Sequence, residues 1–278
     1  MKTLIVTPKQ MRTAGRWDID FHLPPTGIRA FPPETLHQIR DCADIVKSKR
    51  DPTLMPDATF RYVDISSIDV ETGVIARPQE LTGAEAPSRA RKVIHAYDVI
   101  ISTCRPTRGA IAVIPEELHG EICSTGFSVV KARAGTNPFY LHFALRLAST
   151  LEQFRKWSTG SSYPAILDED VEKTLIPLPD GDAQDLIAGI IRCAMAGRAR
   201  VIMEANQTWQ QSMDGVVAAL SGTRALGSDI EPKDVLYSTA EVRERLASLP
   251  AVEEEESTPE EELLECSLFT NGDDPEVS

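Results

Sequence analysis

Arginine and hydroxyl side chains are concentrated in two short segments of the sequence. The first is TCRPTRG at positions 103–109, and the second is KWSTGSSY at positions 156–163. Arginine pairs with guanine or with phosphate through its forked guanidinium, and hydroxyl groups donate hydrogen bonds to bases and phosphates alike. Three further basic residues precede the apolar run that ends at Ser102. Together they predict contacts with double-stranded DNA through Arg89, Arg91, Lys92, Thr103, Arg105, Thr107, Arg108, Lys156, Ser158, Thr159, Ser161, Ser162 and Tyr163.

The distribution of charge decides whether such contacts are feasible. The formal net charge is −13, which by itself disfavours a nucleic acid as partner. Residues 1–200, however, carry 25 basic and 24 acidic side chains, whereas residues 201–278 carry 4 basic and 18 acidic ones. The body is therefore charge-balanced and compatible with DNA. The same two polar segments are also compatible with ordinary solvated loops, and composition leaves both interpretations open.

Sequence signatures of catalysis are absent. The chain has no phosphate-binding G-x-x-x-x-G-K-[ST] loop, no G-x-G-x-x-G fingerprint, no H-E-x-x-H and no G-x-S-x-G motif. Its five histidines are scattered, and its five cysteines contain no C-x-x-C pair. We therefore predict no catalytic residue, no metal site and no cofactor. No apolar run is long enough to cross a bilayer, and we expect a cytoplasmic protein without membrane contact.

One tetrapeptide resembles a catalytic motif. Asn137-Pro138-Phe139-Tyr140 is similar to the Asn-Pro-Pro-Tyr sequence of adenine-N6 methyltransferases, with Phe139 in place of the second proline. Asn137 as a helix N-cap followed by Pro138 in the first turn explains the same residues without catalysis. The glycine-rich turn that approaches a methyl donor is missing, so a methyltransferase remains the weaker hypothesis.

The elements that must position these residues follow from hydrophobic periodicity. FRYVDIS, KVIHAYDVIIS, AIAVIP and FSVVKA are rich in β-branched and aromatic residues, and they predict the strands of one compact sheet domain. PFYLHFALRLASTLEQFRKW has apolar residues three and four apart and predicts one helix. A short helix is expected near residues 35–43, and DEDVEK followed by TLIPLP predicts a helical turn and a last strand. The fold class is therefore α+β.

A long helix is predicted after Pro179. Residues 182–220 contain no proline, and their apolar stripe predicts a surface for a second helix through Ile187, Ile191, Ala194, Val201, Ala205 and Trp209. A helix of this length would protrude from a compact domain unless the stripe packs against its own domain. The predicted organisation is a recognition-type sheet domain at 1–180, a helical spacer at 181–222, a short helical extension at 223–250 and a disordered acidic tail at 251–278.

Taken in order, these segments resemble the target recognition domain of specificity (S) subunits of Type I restriction-modification enzymes. GRWDIDFHLPP (15–25) is similar to an opening segment of these subunits. YDVIISTCRPTRGAIAVI (97–114) resembles a second stretch, with Tyr97 where a glycine is common. GSSYPAILDEDVEKTLIPLPDGDAQDLI (160–187) resembles the segment that closes the domain and opens a long helix. The resemblance covers about residues 10–220, and its specificity lies in the order and spacing of the segments.

The resemblance implies a phage-defence role without catalysis of its own. The recognition domain would read one half of a bipartite DNA site. The long helix would act as spacer and docking surface for adenine methyltransferase subunits, with a restriction and translocase subunit as a further partner. The chain has room for one recognition domain and one helix, which implies a half-size form that pairs with a second copy or a second half-subunit. A two-fold dimer would read a palindromic bipartite target.

Two other functions stay open at this level. The chain could be a protein-interaction adaptor that keeps the recognition fold and regulates a DNA enzyme through its helix and tail. It could also be a methyltransferase that uses residues 137–140. The acidic tail departs from the family pattern, and it either competes with DNA phosphates for the basic loops or serves only to solubilise the chain.

Overall fold

The computed structural model describes residues 5–160, 162–223, 243–244 and 247–248. It divides into two compact units, Met1–Asn206 and Gln207–Ser278. The acidic tail predicted at 251–278, and all but a few residues of the extension predicted at 223–250, lie outside the described residues.

Helices and strands alternate irregularly along the first unit. The helices are α1 (Pro8–Ala14), α2 (Ile19–His22), α3 (Ile39–Cys42), α4 (Pro138–Arg146), α5 (Ala148–Trp157), α6 (Asp168–Glu172) and α7 (Gly181–Leu220), the last of which continues into the second unit. The strands are β1 (Leu36–Gln38), β2 (Ala43–Ile45), β3 (Thr59–Val63), β4 (Ile68–Asp69), β5 (Val74–Ile75), β6 (Gln79–Thr82), β7 (Ala90–Val93), β8 (Val99–Ser102), β9 (Ile111–Val113), β10 (Ile122–Ser124), β11 (Phe127–Ala132) and β12 (Leu175–Pro177). The predicted α+β class is confirmed.

The strands of the predicted sheet domain form two four-stranded sheets, and the pairs β1-β12 and β4-β5 form two smaller ones. One four-stranded sheet has the antiparallel order β2-β11-β8-β9, and the other is a mixed sheet of order β6-β3-β10-β7. The chain changes sheet inside the apolar run KVIHAYDVIIS, where β7 ends and β8 begins. Tyr97 adopts a left-handed φ of 70°, and the buried Asp98 carboxylate accepts the His95 backbone N–H at 3.0 Å. This turn divides what periodicity predicts as one strand.

Strand β8 is buried on both faces, which explains its unbroken apolar sequence. Val99 and Ile101 pack into the core formed with α4 and α5. Ile100 faces the other way, into the core between the two sheets, where it joins Val63 of β3 and Cys123 of β10. A central strand covered on both sides reads as a continuous hydrophobic run rather than an alternating one. The β2-β11-β8-β9 sheet is therefore the middle layer of the unit.

The helix predicted over residues 138–157 is interrupted at Leu147, whose ψ is 143°. The Thr150 hydroxyl donates to the Ala144 carbonyl at 2.8 Å across the break, and α5 begins as a separate helix at Ala148. Asn137 caps α4 as predicted, because its Oδ1 accepts the backbone N–H groups of Phe139 and Tyr140. The prediction of a single helix was wrong, and the prediction of its start was correct.

Two other predictions differ in detail. The short helix expected at residues 35–43 is a strand, β1, followed by the single turn α3. The strand forms there because β12 supplies an antiparallel partner, with His37 opposite Ile176. The predicted long helix is confirmed as the 40-residue α7, and no helix in the described part of the chain is long and apolar enough to span a membrane.

Candidate DNA-recognition surface

The segment at positions 103–109, called the arginine turn below, is held in its first half by hydrogen bonds to main-chain carbonyls. The backbone N–H and the hydroxyl of Thr103 both donate to the Gly126 carbonyl, at 2.8 and 2.9 Å. Arg105 lies in the left-handed region at φ 48°, and its N–H donates to the Pro164 carbonyl at 2.7 Å. Thr107 and Arg108 are exposed at the tip. A non-glycine residue in this region costs about 1 kcal/mol or more, which the surrounding bonds offset.

The segment at positions 158–163, called the hydroxyl loop, is closed by a reciprocal pair of hydrogen bonds. Thr159 and Ala165 exchange both backbone N–H groups, at 2.9 and 2.8 Å. The Ser158 hydroxyl is engaged with the Phe154 carbonyl of α5. Tyr163 is 69% exposed and Ser162 is exposed as well, while Ser161 lies outside the described residues. The loop therefore presents an aromatic ring and polar groups to solvent from a closed base.

The structure brings the arginine turn and the hydroxyl loop together, although about 50 residues separate them in the sequence. The Arg105 guanidinium lies 4.7 Å from the centre of the Tyr163 ring and donates to the Ser162 carbonyl at 3.3 Å. The Ile166 N–H donates to the Thr103 carbonyl at 2.9 Å, which joins the bases of both segments. A cation over an exposed aromatic face is held in place by its attraction to the ring. The two predicted loops thus form one surface.

Of the three basic side chains at positions 89–92, one is exposed and two form hydrogen bonds or ion pairs within the protein. Arg89 is exposed, and its carbonyl accepts the Thr125 N–H, next to the Gly126 that holds Thr103. Arg91 donates to the Ala90 carbonyl at 2.8 Å and pairs with Asp51 at 3.5 Å. Lys92 donates its ammonium to the Phe127 carbonyl at 2.5 Å. Arg89 therefore adjoins the surface, whereas the side chains of Arg91 and Lys92 are used within the protein.

Three basic residues that the sequence-based prediction omitted lie at the same edge. Lys47, Lys49 and Arg50 are exposed, and their segment runs beside β7. The Arg50 N–H donates to the Arg91 carbonyl at 2.9 Å, and Lys49 lies opposite Lys92 in an isolated antiparallel bridge. The run KSKR at 47–50 was the available signal.

Lys156 and the N-terminal residues complete the border of this surface. The Lys156 ammonium lies 5.7 Å from the ring centre of Phe21 and 5.0 Å from that of Trp157, so its stem is packed rather than free. An open cleft of about 550 Å³ separates the two predicted loops from the N-terminal segment. Its lining includes Arg16, Thr107, Arg155, Thr159 and Gly160. The N-terminal segment therefore lines one side of the cleft next to the two loops.

Titratable groups do not form a catalytic cluster here. Burial raises the pKa of the Cys123 thiol to about 12 and that of Cys42 to about 11, so both are held as thiols. The hydrogen bond from Arg16 lowers the pKa of Asp18, which keeps this carboxylate ionised as a structural partner. Within the described ranges, no three His, Cys, Asp or Glu side chains are grouped as they would be to hold a metal ion.

The methyltransferase-like tetrapeptide serves a structural purpose. The Asn137 side chain caps α4 and donates to the Asp185 carboxylate at 2.7 Å. Tyr140 is only 3% exposed, and its hydroxyl donates to the Pro177 carbonyl at 2.7 Å. An asparagine and a tyrosine held in this way cannot receive and stack a target base. The catalytic interpretation of residues 137–140 is therefore contradicted.

The predicted apolar stripe of α7 does not act as one surface. Ile187 packs against the hydrophobic core of its own unit, and Ile191 and Ala194 border a cleft with Phe143 and Arg146 of α4. Arg198 then pairs with Glu71 at 2.7 Å and with Asp69 at 3.7 Å, both within the β4-β5 hairpin. Beyond this point Val201 is 59% exposed and Ala205 is exposed; in the second unit Trp209 is 64% exposed. Ile187 is therefore covered by its own domain, whereas Ile191 is half-buried and Ala194 is exposed beside the cleft. The docking role of the stripe stays a prediction.

Comparisons with known proteins bear on this geometry. No family model matches the chain. The Type I restriction enzyme HindI specificity subunit of Haemophilus influenzae is 27% identical over 130 residues, which make up 46% of this chain and 28% of that protein. The HsdS subunit of Thermoanaerobacter tengcongensis is 38% identical with a TM-score of 0.54, over 73% of this chain and 52% of that one.

A second solved structure is similar to this chain to about the same degree. A chain from a structural study of complex assembly and conformational transition in the type I R-M system is 37% identical, with a TM-score of 0.54. The match covers 71% of this chain and 51% of that chain. The chain thus spans about half the length of these solved relatives and 28% of the curated one. In sequence and in fold, it resembles the specificity subunits of Type I restriction-modification systems over that part of their length.

Proposed function

We propose that this chain is a non-catalytic DNA sequence-recognition subunit of a Type I-like restriction-modification complex. The observation that carries the proposal is the contact of Arg105 with Tyr163 and Ser162, which unites two exposed, hydroxyl-rich segments on a fold similar to that of specificity subunits. Among the described residues of this surface, no three His, Cys, Asp or Glu side chains are grouped as a metal site would require.

Each part of the surface has a distinct expected role. The exposed Arg108 and Thr107 at the tip of the arginine turn would reach base edges or phosphates, together with Arg105 and Tyr163. The exposed amines and guanidinium at positions 47–50 would contact phosphates and add affinity without sequence preference. Arg91 and Lys92 would support the edge of the sheet through their internal bonds. The surface would thus read one half of a bipartite DNA site.

Assembly follows from the exposed part of α7. Its apolar side chains from Val201 onward would dock a second copy of the chain, a second half-subunit or the adenine methyltransferase subunit. Methylation and cleavage would belong to such partners, including a restriction and translocase subunit. Two copies of the chain related by two-fold symmetry would read a palindromic target with a fixed gap. A cytoplasmic location is part of this proposal.

A second candidate function is a protein-interaction adaptor that keeps the recognition fold. The internal use of Arg91 and Lys92 supports it, because two cations predicted for DNA are already bound within the protein. The body of the chain is also close to neutral. An adaptor would bind the methyltransferase without requiring the arginine turn.

Selection of duplexes from a random library by the full-length chain, alone and with its methyltransferase partner, separates the two candidates. A recognition subunit enriches one sequence, and Arg108→Ala weakens binding to it about five- to a hundredfold while relaxing one position. Lys131→Ala is the matched control. Lys131 is exposed on β11 near Val130, which pairs with Val99 at the end of the sheet opposite to the arginine turn. Enrichment of no sequence in either form would refute the recognition proposal and favour the adaptor.

A further inference from the structure

Residues 16–22, called the N-terminal clamp, form a compact turn that closes on itself. The Arg16 guanidinium donates to the Asp18 carboxylate at 2.7 Å, and the other oxygen of Asp18 accepts the Phe21 N–H at 2.9 Å. The Arg16 carbonyl lies 2.8 Å from Nε2 of His22. These bonds within residues 16–22 fix the orientation of the Arg16 side chain.

In this orientation, the Arg16 guanidinium contacts the C-terminal end of α5. Nη2 of Arg16 donates to the Ser158 carbonyl at 2.5 Å, and Nη1 approaches the Trp157 carbonyl at 3.5 Å. The last carbonyls of a helix lack partners within the helix and carry its partial negative charge. A guanidinium satisfies two of them at once and complements that charge. Arg16 thus caps the C-terminal end of a helix, and that end lies more than 140 residues further along the chain.

An aromatic layer supports the same contact. The guanidinium of Arg16 lies 4.9 Å from the ring centre of Phe21, and that ring meets Trp157 edge to face at 6.1 Å. Lys173 covers the Trp157 ring at 3.8 Å. Aromatic pairs and cations over aromatic faces both add to the stability of such a contact when partly buried. The clamp therefore fixes the last turn of α5 by packing as well as by hydrogen bonds.

Ser158 is the first residue of the hydroxyl loop, and this makes the contact relevant to DNA. Its neighbour Thr159 forms the reciprocal backbone pair with Ala165 that closes the loop. The position of the Ser162 carbonyl and the Tyr163 ring, which receive Arg105, depends on where this base is held. We infer that Arg16 is a positioning residue for sequence recognition, acting through the hydroxyl loop rather than by touching DNA itself. The inference rests on the proposed function.

The planar fork of arginine is needed for this role. Arg16 serves two carbonyls, one carboxylate and one aromatic face simultaneously, and a lysine ammonium cannot meet all four in a fixed geometry. Arg16→Lys keeps the charge and should still loosen the loop. Arg12→Ala on α1 is the control, since Arg12 is an exposed arginine of the same N-terminal region.

The experiment compares full-length wild type, Arg16→Ala, Arg16→Lys and Arg12→Ala by two measurements. The first is hydrogen exchange at the Thr159 and Ala165 amides, which we expect to accelerate at least about tenfold in both Arg16 variants and not in the control. The second is the ratio of affinities for the selected duplex and for a random duplex, which we expect to fall about tenfold in the Arg16 variants.

The outcomes distinguish a role of Arg16 in positioning the hydroxyl loop from a role in stabilising the whole fold. Unchanged exchange at Thr159 and Ala165 in both Arg16 variants would overturn the inference, whatever the DNA results. Faster exchange throughout the first unit, with an unaltered affinity ratio, would also overturn it, because Arg16 would then only stabilise the fold. A wild type that prefers no duplex would refute the proposed function, and the exchange data would still decide whether the clamp holds the loop.

Discussion

The two ends of the β2-β11-β8-β9 sheet differ in how their charged side chains are satisfied. At one end, where Ser102 pairs with Phe127, the chain runs into the arginine turn, and Arg108 has no ion pair among the residues described. At the other end, Arg133 beyond β11 forms a tight ion pair with Asp44 of β2 at 2.5 Å. Tyr97 donates its hydroxyl to Glu116 there, and Arg192 covers Phe139 at 4.5 Å.

This difference indicates which polar groups serve structure and which are available for a ligand. Cations that are paired with a carboxylate, or held by a partly buried bond to a carbonyl, would lose that partner on binding phosphate, so little is gained. Exposed cations without such partners gain from a polyanion directly. The distinction also runs through the predicted site itself, where Lys92 is used internally and Arg89 and Arg108 are exposed.

The largest expected effect on stability comes from a substitution in β8, the buried strand of the β2-β11-β8-β9 sheet that runs between its two ends. Ile100 is fully buried between the sheets, and Ile100→Ala removes methylene groups from a site with little room to collapse. We expect the free energy of unfolding to fall by about 2–5 kcal/mol. Urea denaturation measures it, with the exposed Leu54→Ala as control. A loss below that of the control would show that β8 is not central to stability.

Acid tests whether stability and recognition are separate properties. His142 is buried on α4, and burial together with the nearby Arg146 lowers its pKa from 6.5 to about 4. The unfolded state takes up the proton first, so the stabilising contribution is complete above pH 6.5 and is lost as pH falls towards 4. We expect a loss on the order of 1–3 kcal/mol.

Denaturation curves at pH 7 and pH 5 check this, with His142→Gln expected to reduce the difference and the exposed His37→Gln to preserve it. The DNA affinity of the folded fraction should change much less than its stability, because the exposed arginines of the recognition surface keep their charge. An equal pH dependence in the wild type and in His142→Gln would contradict the assignment.

The most direct test of the comparison exchanges one arginine at each end for alanine. Arg105→Ala removes the guanidinium from Tyr163 and Ser162, and we expect affinity for the selected duplex to fall by about 1–3 kcal/mol. Arg133→Ala breaks only an exposed, solvent-screened ion pair and should leave that affinity unchanged. Fluorescence anisotropy with labelled duplexes measures both, and equal losses would mean that the two ends do not differ in function.

Local patterns in the sequence predicted a good part of this architecture. The cap at Asn137, the course of α7 and the apolar strands β8 and β11 depend on residues close together in the chain, which periodicity and capping rules describe. The arginine turn and the hydroxyl loop were likewise visible as clusters of residue types. The break at Leu147 was not, because a hydrogen bond from the Thr150 hydroxyl to Ala144 outweighs a helical pattern that continues through it.

The partners of the charged side chains could not be predicted in the same way. Whether Lys92 is free depends on the Phe127 carbonyl 35 residues away, and the parallel pairing of β10 with β3 brings together segments about 60 residues apart. Such contacts depend on how the whole chain closes, which residue type and spacing do not encode locally.

By itself, the sequence determined the α+β class, the long C-terminal helix and the two polar segments, because these follow from local propensity and composition. The tertiary structure alone decided that the two segments form one surface, that Arg16 caps α5 and that the first turns of α7 cover the domain. The physical reason is that a hydrogen bond or a stacked ring requires its partner within a few ångströms, and distant residues come that close only in the folded chain.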